Sequence, residues 1–441
     1  MSIQQFRDAV YQTIGKRAAA TLDLVDALTV AGHVASPVAL SEEVPFQRRF
    51  SSVYDVLDYS ELDQATLAAV LYAQQPADCE MVAEYEVYAV DTTPNERPTA
   101  ETLADRGLLK SQRDAPVRLG QKFSWLVRLV QRQTSWVAPW DVRRVPTTST
   151  DTQTAVAQVQ ALDRCSDRLK VLVADSLYCN HLFLRVFLLV QTVCALVRLR
   201  RNQNLYEAPS AKAAGAKGAP RKHGPVFRLA QPARPADRTE TFQLAWQTVR
   251  LSAWTGLHLR KLPALVGLAL RVEFLKADGT PRYKLPLWLF WTGPTTVALP
   301  DLCRMYLWRF AIEHAFRFMK QHLGLNANRS TQPANVEHWM WLCALAYWQL
   351  LLLRDVVDTL RPAWYPRPAL GPGQPLTPGQ VQRQAQCFLL RLGTPAPAPR
   401  PAGKGSGRPN GFRPQPRTRY PVVRKGHKRP KTARIRAPAA V

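Results

Sequence analysis

The segment YLWRFAIEHAFRFMK sets Tyr306, Arg309, Glu313 and Lys320 at successive offsets of three, four and seven residues. On a helix that turns about 100° per residue these side chains fall within roughly 60° of arc on one face, with Arg317 beside them. A carboxylate among cations and a phenol is a combination that can grip a phosphate ester and hold a hard cation beside it. The same spacing also describes a solvated helix braced by i, i+4 ion pairs, with Phe310, Ile312 and Phe316 as its buried side. Cysteine offers no rival chemistry. The seven cysteines are scattered, with no C-x-x-C pair and no His/Cys knuckle spacing, which fits a reducing compartment.

That face needs a helix to carry it, and helical periodicity resumes at Leu302, followed by a loop near 324–334 and an apolar helix to about 360. The most apolar stretch, Trp339 to Leu353, is interrupted by Gln349 and falls short of the roughly 20 residues a membrane span needs, so we read a buried helix and no membrane role. Strand patterns begin at Tyr85: YEVYAVD (85–91), KFSWLVRLV (122–130), and a third run near 135–142. A helical stretch at 152–163 leads to KVLVADS (170–176), a near-continuous apolar run of the kind a central buried strand shows. Asn180 then caps a helix through HLFLRVFLL, and CALVRLRRN (194–202) reads as a further strand. The order βββαβαβ is that of the ribonuclease-H-like fold. The expected class is therefore α/β, a ribonuclease-H-like catalytic core carrying a mainly β insertion.

The rest of the chain divides by composition. Residues 1–78 read as a helical N-terminal domain with segments near 3–14, 17–31 and 60–73, the last capped by Ser60. Residues 1–75 hold five Lys/Arg against nine Asp/Glu, so DNA binding there has no electrostatic support and a packing role is an equal reading. Residues 79–202 form the first part of the core, 203–293 the β-rich insertion with a hairpin at Asp278-Gly279, and 294–361 the second part with the chemically loaded helix. Residues 362–441 form a Pro/Arg/Lys-rich tail, interrupted by a short helix capped by Thr377 with Pro378 at its first position. Residues 394–441 carry thirteen Lys/Arg and no carboxylate; they cannot build a core and are expected to stay disordered. The formal charge of +26 points to a polyanionic partner, nucleic acid first. No N-terminal stretch has the basic start and apolar run of a secretory signal, so a cytoplasmic, nucleoid-associated protein is expected.

The spacing Y-x2-R-x3-E-x6-K resembles the signature of a large group of bacterial insertion-sequence DDE transposases, and the following HLGL and Arg329 are similar to that family too. The resemblance covers roughly 80–360. It implies that Glu313 is the third catalytic carboxylate and metal ligand, and that Tyr306, Arg309 and Lys320, with Arg317 alongside, bind the phosphates of the transposon end. It also implies partner acids on the first and fourth strands. Asp91 in VDTT and Asp175 in ADSLY stand there, at positions where an isolated Asp is more often a turn former. Three carboxylates suit two Mg²⁺ ions, which Mn²⁺ can replace, acting on phosphodiester displacement. The implied partners are double-stranded DNA, as terminal inverted repeats and target, and a second copy of the chain in a synaptic homodimer. Competing readings are a DNA-binding descendant that no longer cuts, and a basic structural or RNA-associated protein resting on charge alone. Trp288 and Trp291 could stack on a flipped base, but core packing is the stronger reading.

Overall fold

The computed structural model describes residues 2–109, 117–132, 134–211, 219, 221–357, 376–401 and 407–424. The first quarter is helical: α1 (Ile3–Gln12), α2 (Ala18–Val30), α3 (Ser51–Tyr59) and α4 (Gln64–Ala73), with a 3₁₀ turn over Pro37–Glu42. Strands follow as β1 (Met81–Val82), β2 (Tyr85–Glu96), β3 (Gly107–Leu109), β4 (Arg118–Leu129) and β5 (Val137–Val145). After α5 (Asp151–Arg164) come β6 (Lys170–Ala174), the single turn α6 (His181–Leu184) that tightens to 3₁₀ over Arg185–Leu188, and β7 (Val193–Arg198). The next segment is all strand, β8 (Asn204–Tyr206), β9 (Val226–Arg228), β10 (Arg238–Leu244), β11 (Gln247–Leu259), β12 (Leu262–Leu275) and β13 (Leu287–Trp291). Four helices close the described chain: α7 (Leu299–Trp308), α8 (Phe310–Gln321), α9 (Pro333–Leu353) and α10 (Pro378–Leu392).

All the strands belong to one mixed sheet of thirteen. β2 is third along its path, antiparallel to β4 and parallel to β6, and β7 extends the parallel run beyond β6. The apolar run of β6 is explained by this position, since every one of its residues is buried. β13 then adds antiparallel to β7, so the β-rich segment continues the core sheet with no break in hydrogen bonding. Asp278-Gly279 does turn the chain between β12 and β13, with Gly279 at φ +78 and Asp278 Oδ1 accepting from the Thr280 amide at 2.9 Å.

The helical quarter is packed on the sheet through α9. α2 runs against α9, Phe6 stacks on Trp348 with ring centroids 5.7 Å apart, and the Trp348 indole donates to the Pro139 carbonyl of β5. A buried Arg7–Asp26 pair at 2.5 Å, extended by Gln349 Nε2 donating to Asp26 Oδ1 at 2.8 Å, ties α1, α2 and α9 together. Every side of α9 is buried over most of its length, as its unbroken apolar run requires. No helix among the described residues is long and apolar enough to cross a membrane.

Three local expectations are corrected. The cap of α4 is Asp63, whose Oδ1 accepts from the Ala65 and Thr66 amides; Ser60 instead ends α3. The helix carrying Tyr306 and Glu313 is interrupted at Arg309, where α7 gives way to α8 through i to i−3 bonds from the Arg309 and Ile312 amides. The tail is not wholly loose. Of residues 394–441, 402–406 and 425–441 lie outside the described residues, but 394–401 and 407–424 are described and make contacts with the core. Arg48 donates to the Pro397 carbonyl at 2.9 Å, the Tyr420 and Val423 amides donate to the Glu101 and Arg106 carbonyls at 2.8 Å, and Val423 forms a parallel bridge with Gly107 of β3. A segment without core-forming side chains can still bind through its main chain to an open sheet edge, which composition does not reveal.

Candidate functional site: Arg309 between Asp91 and Glu313

The sheet register places the first two acids. Parallel pairing of β2 with β6 ends at Val90 opposite Ala174, so Asp91 and Asp175 follow side by side at the point where the two strands part. Asp91 does not end its strand, because β2 continues to Glu96 against β4. Because β6 stops at Ala174, Asp91 has no strand partner on that side. Its Oδ1 accepts from the Thr92 amide at 2.7 Å. Asp175 opens a turn, with Oδ1 accepting from the Leu177 amide at 2.8 Å. The turn-forming role and a place in the site are therefore compatible in one residue.

α8 crosses this end of the sheet and brings the third acid. Arg309, at the α7–α8 break, donates from Nη2 to Glu313 Oε1 at 2.7 Å and from Nη1 to Asp91 Oδ2 at 3.4 Å. One guanidinium thus bridges carboxylates that are more than two hundred residues apart in sequence. Burial pushes the Asp91 carboxyl up to about 6, against the Thr92 amide and Arg309, while the negative charges of Asp175 and Glu313 push it further the same way. Burial opposes the charge on Arg309, yet Tyr306, Asp91 and Glu313 hold its pKa above the usual value. The Asp175 charge is felt at Tyr306 as well. Asp91, Asp175, Glu313, Arg309 and Tyr306 form one electrostatic unit.

The remaining sequence candidates divide. Tyr306 is buried under the Arg309 guanidinium, 5.9 Å from its ring centroid, and burial raises its hydroxyl pKa. Lys320 is half-buried, its pKa lowered by burial and supported by Glu96 and Asp91. Arg317 is exposed on α8. Arg329 is held by its backbone, the carbonyl accepting from Arg97 at 2.8 Å. Trp288 and Trp291 are core residues: Trp288 packs 5.3 Å from Trp254, and the Trp291 indole donates to the Pro294 carbonyl. Two neighbours escaped the sequence reading. Tyr178, fully buried, hydrogen-bonds through its hydroxyl with Thr92 at 3.0 Å and so links the turn after Asp175 to the strand residue after Asp91. Arg198, at the basic end of β7, acts on Tyr306 from the far side; the basic run at 198–201 was the available signal.

Three carboxylates are hard oxygen donors of the kind divalent Mg²⁺ or Mn²⁺ accepts, and their charges already act on one another here. Among the described residues, no three His, Cys, Asp or Glu side chains converge closely enough to ligate an ion as they stand. Arg309 supplies the positive charge between two of them instead. The donor set fits a divalent ion in kind, provided that Arg309 gives way.

A family model described as DDE superfamily endonuclease matches residues 9–259, which take in Asp91 and Asp175 and end before Glu313. A search of curated proteins finds no match. Among solved structures the chain is similar to the piggyBac transposase in its synaptic complex with hairpin DNA, at 8% identity and a TM-score of 0.41, over 85% of this chain and 72% of that one.

Proposed function

Because the chain belongs to the DDE superfamily endonucleases, matched over more than half its length, we propose that it is a DNA transposase of the insertion-sequence type whose active carboxylates are Asp91, Asp175 and Glu313. The observation that carries this reading is the Arg309 bridge between Asp91 of β2 and Glu313 of α8, with Asp175, just past the end of β6, next in register beside Asp91 and its charge acting on it. A strand order with β2 between an antiparallel β4 and a parallel β6, and β7 outside β6, supports a ribonuclease-H-like core.

Asp91, Asp175 and Glu313 would hold the divalent ions, and a bound ion supplies Lewis-acid stabilisation of the phosphodiester oxygens. The protein's own groups do the positioning. Thr92 and the Tyr178 hydroxyl tie strand β2, which presents Asp91, to the turn that presents Asp175. Arg309 keeps Asp91 and Glu313 close in spite of their repulsion and is itself a phosphate donor once released. Lys320 and Arg317 extend a cationic face along α8 for the DNA backbone. The substrates in this reading are the terminal inverted repeats and a target duplex, brought together by two copies of the chain.

The test is cleavage of end-containing duplex with Mg²⁺ or Mn²⁺. Glu313→Gln removes charge without volume and should lower cutting by at least a thousandfold, about 4 kcal/mol of transition-state stabilisation, while duplex affinity is kept. Cutting by Glu313→Gln at the wild-type rate overturns the assignment. Tight duplex binding with no cutting by the wild type favours the DNA-binding descendant instead.

A further inference from the structure

Beside the turn that follows Asp175 lies a cavity of about 810 Å³. Leu177, whose amide bonds Asp175 Oδ1, forms part of its wall, so the cavity and the carboxylate site share a turn. Two of its lining leucines are strongly exposed, Leu108 on β3 at 46% and Leu182 on α6 at 62%. The hairpin tip between β11 and β12 reaches the rim with Arg260 and Lys261, and Arg200 joins them, its Nε donating to the Ser176 carbonyl at 3.2 Å. All three cations are exposed, and none makes an ion pair among the described residues. The acids in the wall are already neutralised, Asp151 by Lys122 at 2.6 Å and Asp105 by Arg144. Val423 of the docked tail closes the remaining side.

The cavity therefore offers apolar walls beneath uncompensated positive charge. A double helix keeps its base faces stacked inside and is far too wide for such a volume, which lies in the range of roughly 300–1,000 Å³ typical of small-ligand sites. An unpaired stretch of DNA presents both apolar base faces and phosphates. We propose that this cavity seats a few unpaired nucleotides of the strand passing the Asp175 turn, bases against Leu108 and Leu182 and backbone on Arg200, Arg260 and Lys261. The inference rests on the endonuclease reading above for its substrate, and it gives the β11–β12 hairpin and the docked tail a shared purpose as two sides of one strand channel.

Fluorescence polarisation with labelled oligo(dT), an abasic strand of equal length and the matching duplex tests it on the full chain. Oligo(dT) should bind more tightly than the abasic strand. The double variant Arg260→Glu and Lys261→Glu, on an exposed hairpin tip where folding is not at stake, should weaken oligo(dT) binding by about tenfold or more. Losing two phosphate contacts should also flatten the salt dependence of log K by about 1.4. Leu182→Ser, which removes the apolar contact without adding charge, should weaken oligo(dT) while leaving the abasic strand unchanged. Equal binding of oligo(dT) and the abasic strand, or charge-reversed protein that binds oligo(dT) like the wild type, overturns the proposal. The two readings fail separately: cutting by Glu313→Gln refutes the carboxylate assignment and leaves these affinities untouched, whereas an indifferent Arg260/Lys261 variant refutes only the channel.

Discussion

Arg309 is the residue on which most of the site's present geometry depends. Without it, Asp91 and Glu313 face each other as unscreened like charges with Asp175 close by. Arg309→Gln should destabilise the metal-free protein by roughly 1–3 kcal/mol, less than a fully buried pair would cost because Glu313 is half-exposed. A divalent ion should repair the damage, so adding Mn²⁺ should raise the melting temperature of the variant more than that of the wild type. Equal shifts in thermal melts of the two proteins would show that the arginine does not stand in for a cation. The resemblance to the transposase signature singles out the acids, and periods of two and 3.6 add only the strands and the helix face that carry them. Their bridging by Arg309 is legible in neither. The resemblance implies an arginine turned toward DNA phosphates, whereas Arg309, at the junction of α7 and α8, is turned inward onto Asp91 and Glu313.

Strand and helix positions across the core follow the apolar patterning closely, because one-sided burial imposes a strict period. Departures occur where polar or backbone chemistry decides. The cap of α4 went to Asp63 because two amides lay within reach of its carboxylate, and α3 was missed because Ser51–Tyr59 mixes Tyr and Asp into a short period. Trp288 belongs to the sheet rather than to DNA, so Trp288→Ala should cost about 3–5 kcal/mol in chemical denaturation; a change under 1 kcal/mol would return it to the list of binding residues. Helix α9 carries a pH signature. His338 is depressed to about 4 by burial, so the unfolded chain binds the extra proton between pH 6.5 and 4 while the native one does not. Stability from this group is complete above about 6.5 and is lost as pH falls toward 4. Asp26, Asp91 and Asp141, each raised to about 6, act in the opposite direction over an overlapping range, so the comparison must be with a variant. The difference in unfolding free energy between the wild type and His338→Leu should change by up to about 3 kcal/mol across that window, and a flat difference would place the ring in contact with water.

The charge of the chain is unevenly spread, and its nucleic-acid affinity should be mostly electrostatic. With six to ten phosphate contacts, duplex affinity should fall by roughly 10³ to 10⁵ between 50 and 200 mM salt; a shallow slope in a titration would mean that the net charge of +26 is solvated bulk rather than an interface. The sequence reading treated 203–293 as an appendage inserted in the core. The hydrogen bonds running from β7 into β13 give that division a different mechanical meaning. Where a flexible linker would let one part swing against another, here a seam of main-chain bonds welds the two into a single plate. Arg260 and Lys261 stand at the tip of a hairpin rooted in that plate, and β6, which leads to Asp175, belongs to the same sheet. Rearrangement during the reaction is then expected first in the DNA and in the helices above the sheet, since the wall on this side departs from regular pairing at the two register shifts along β11 and β12 and is otherwise laddered.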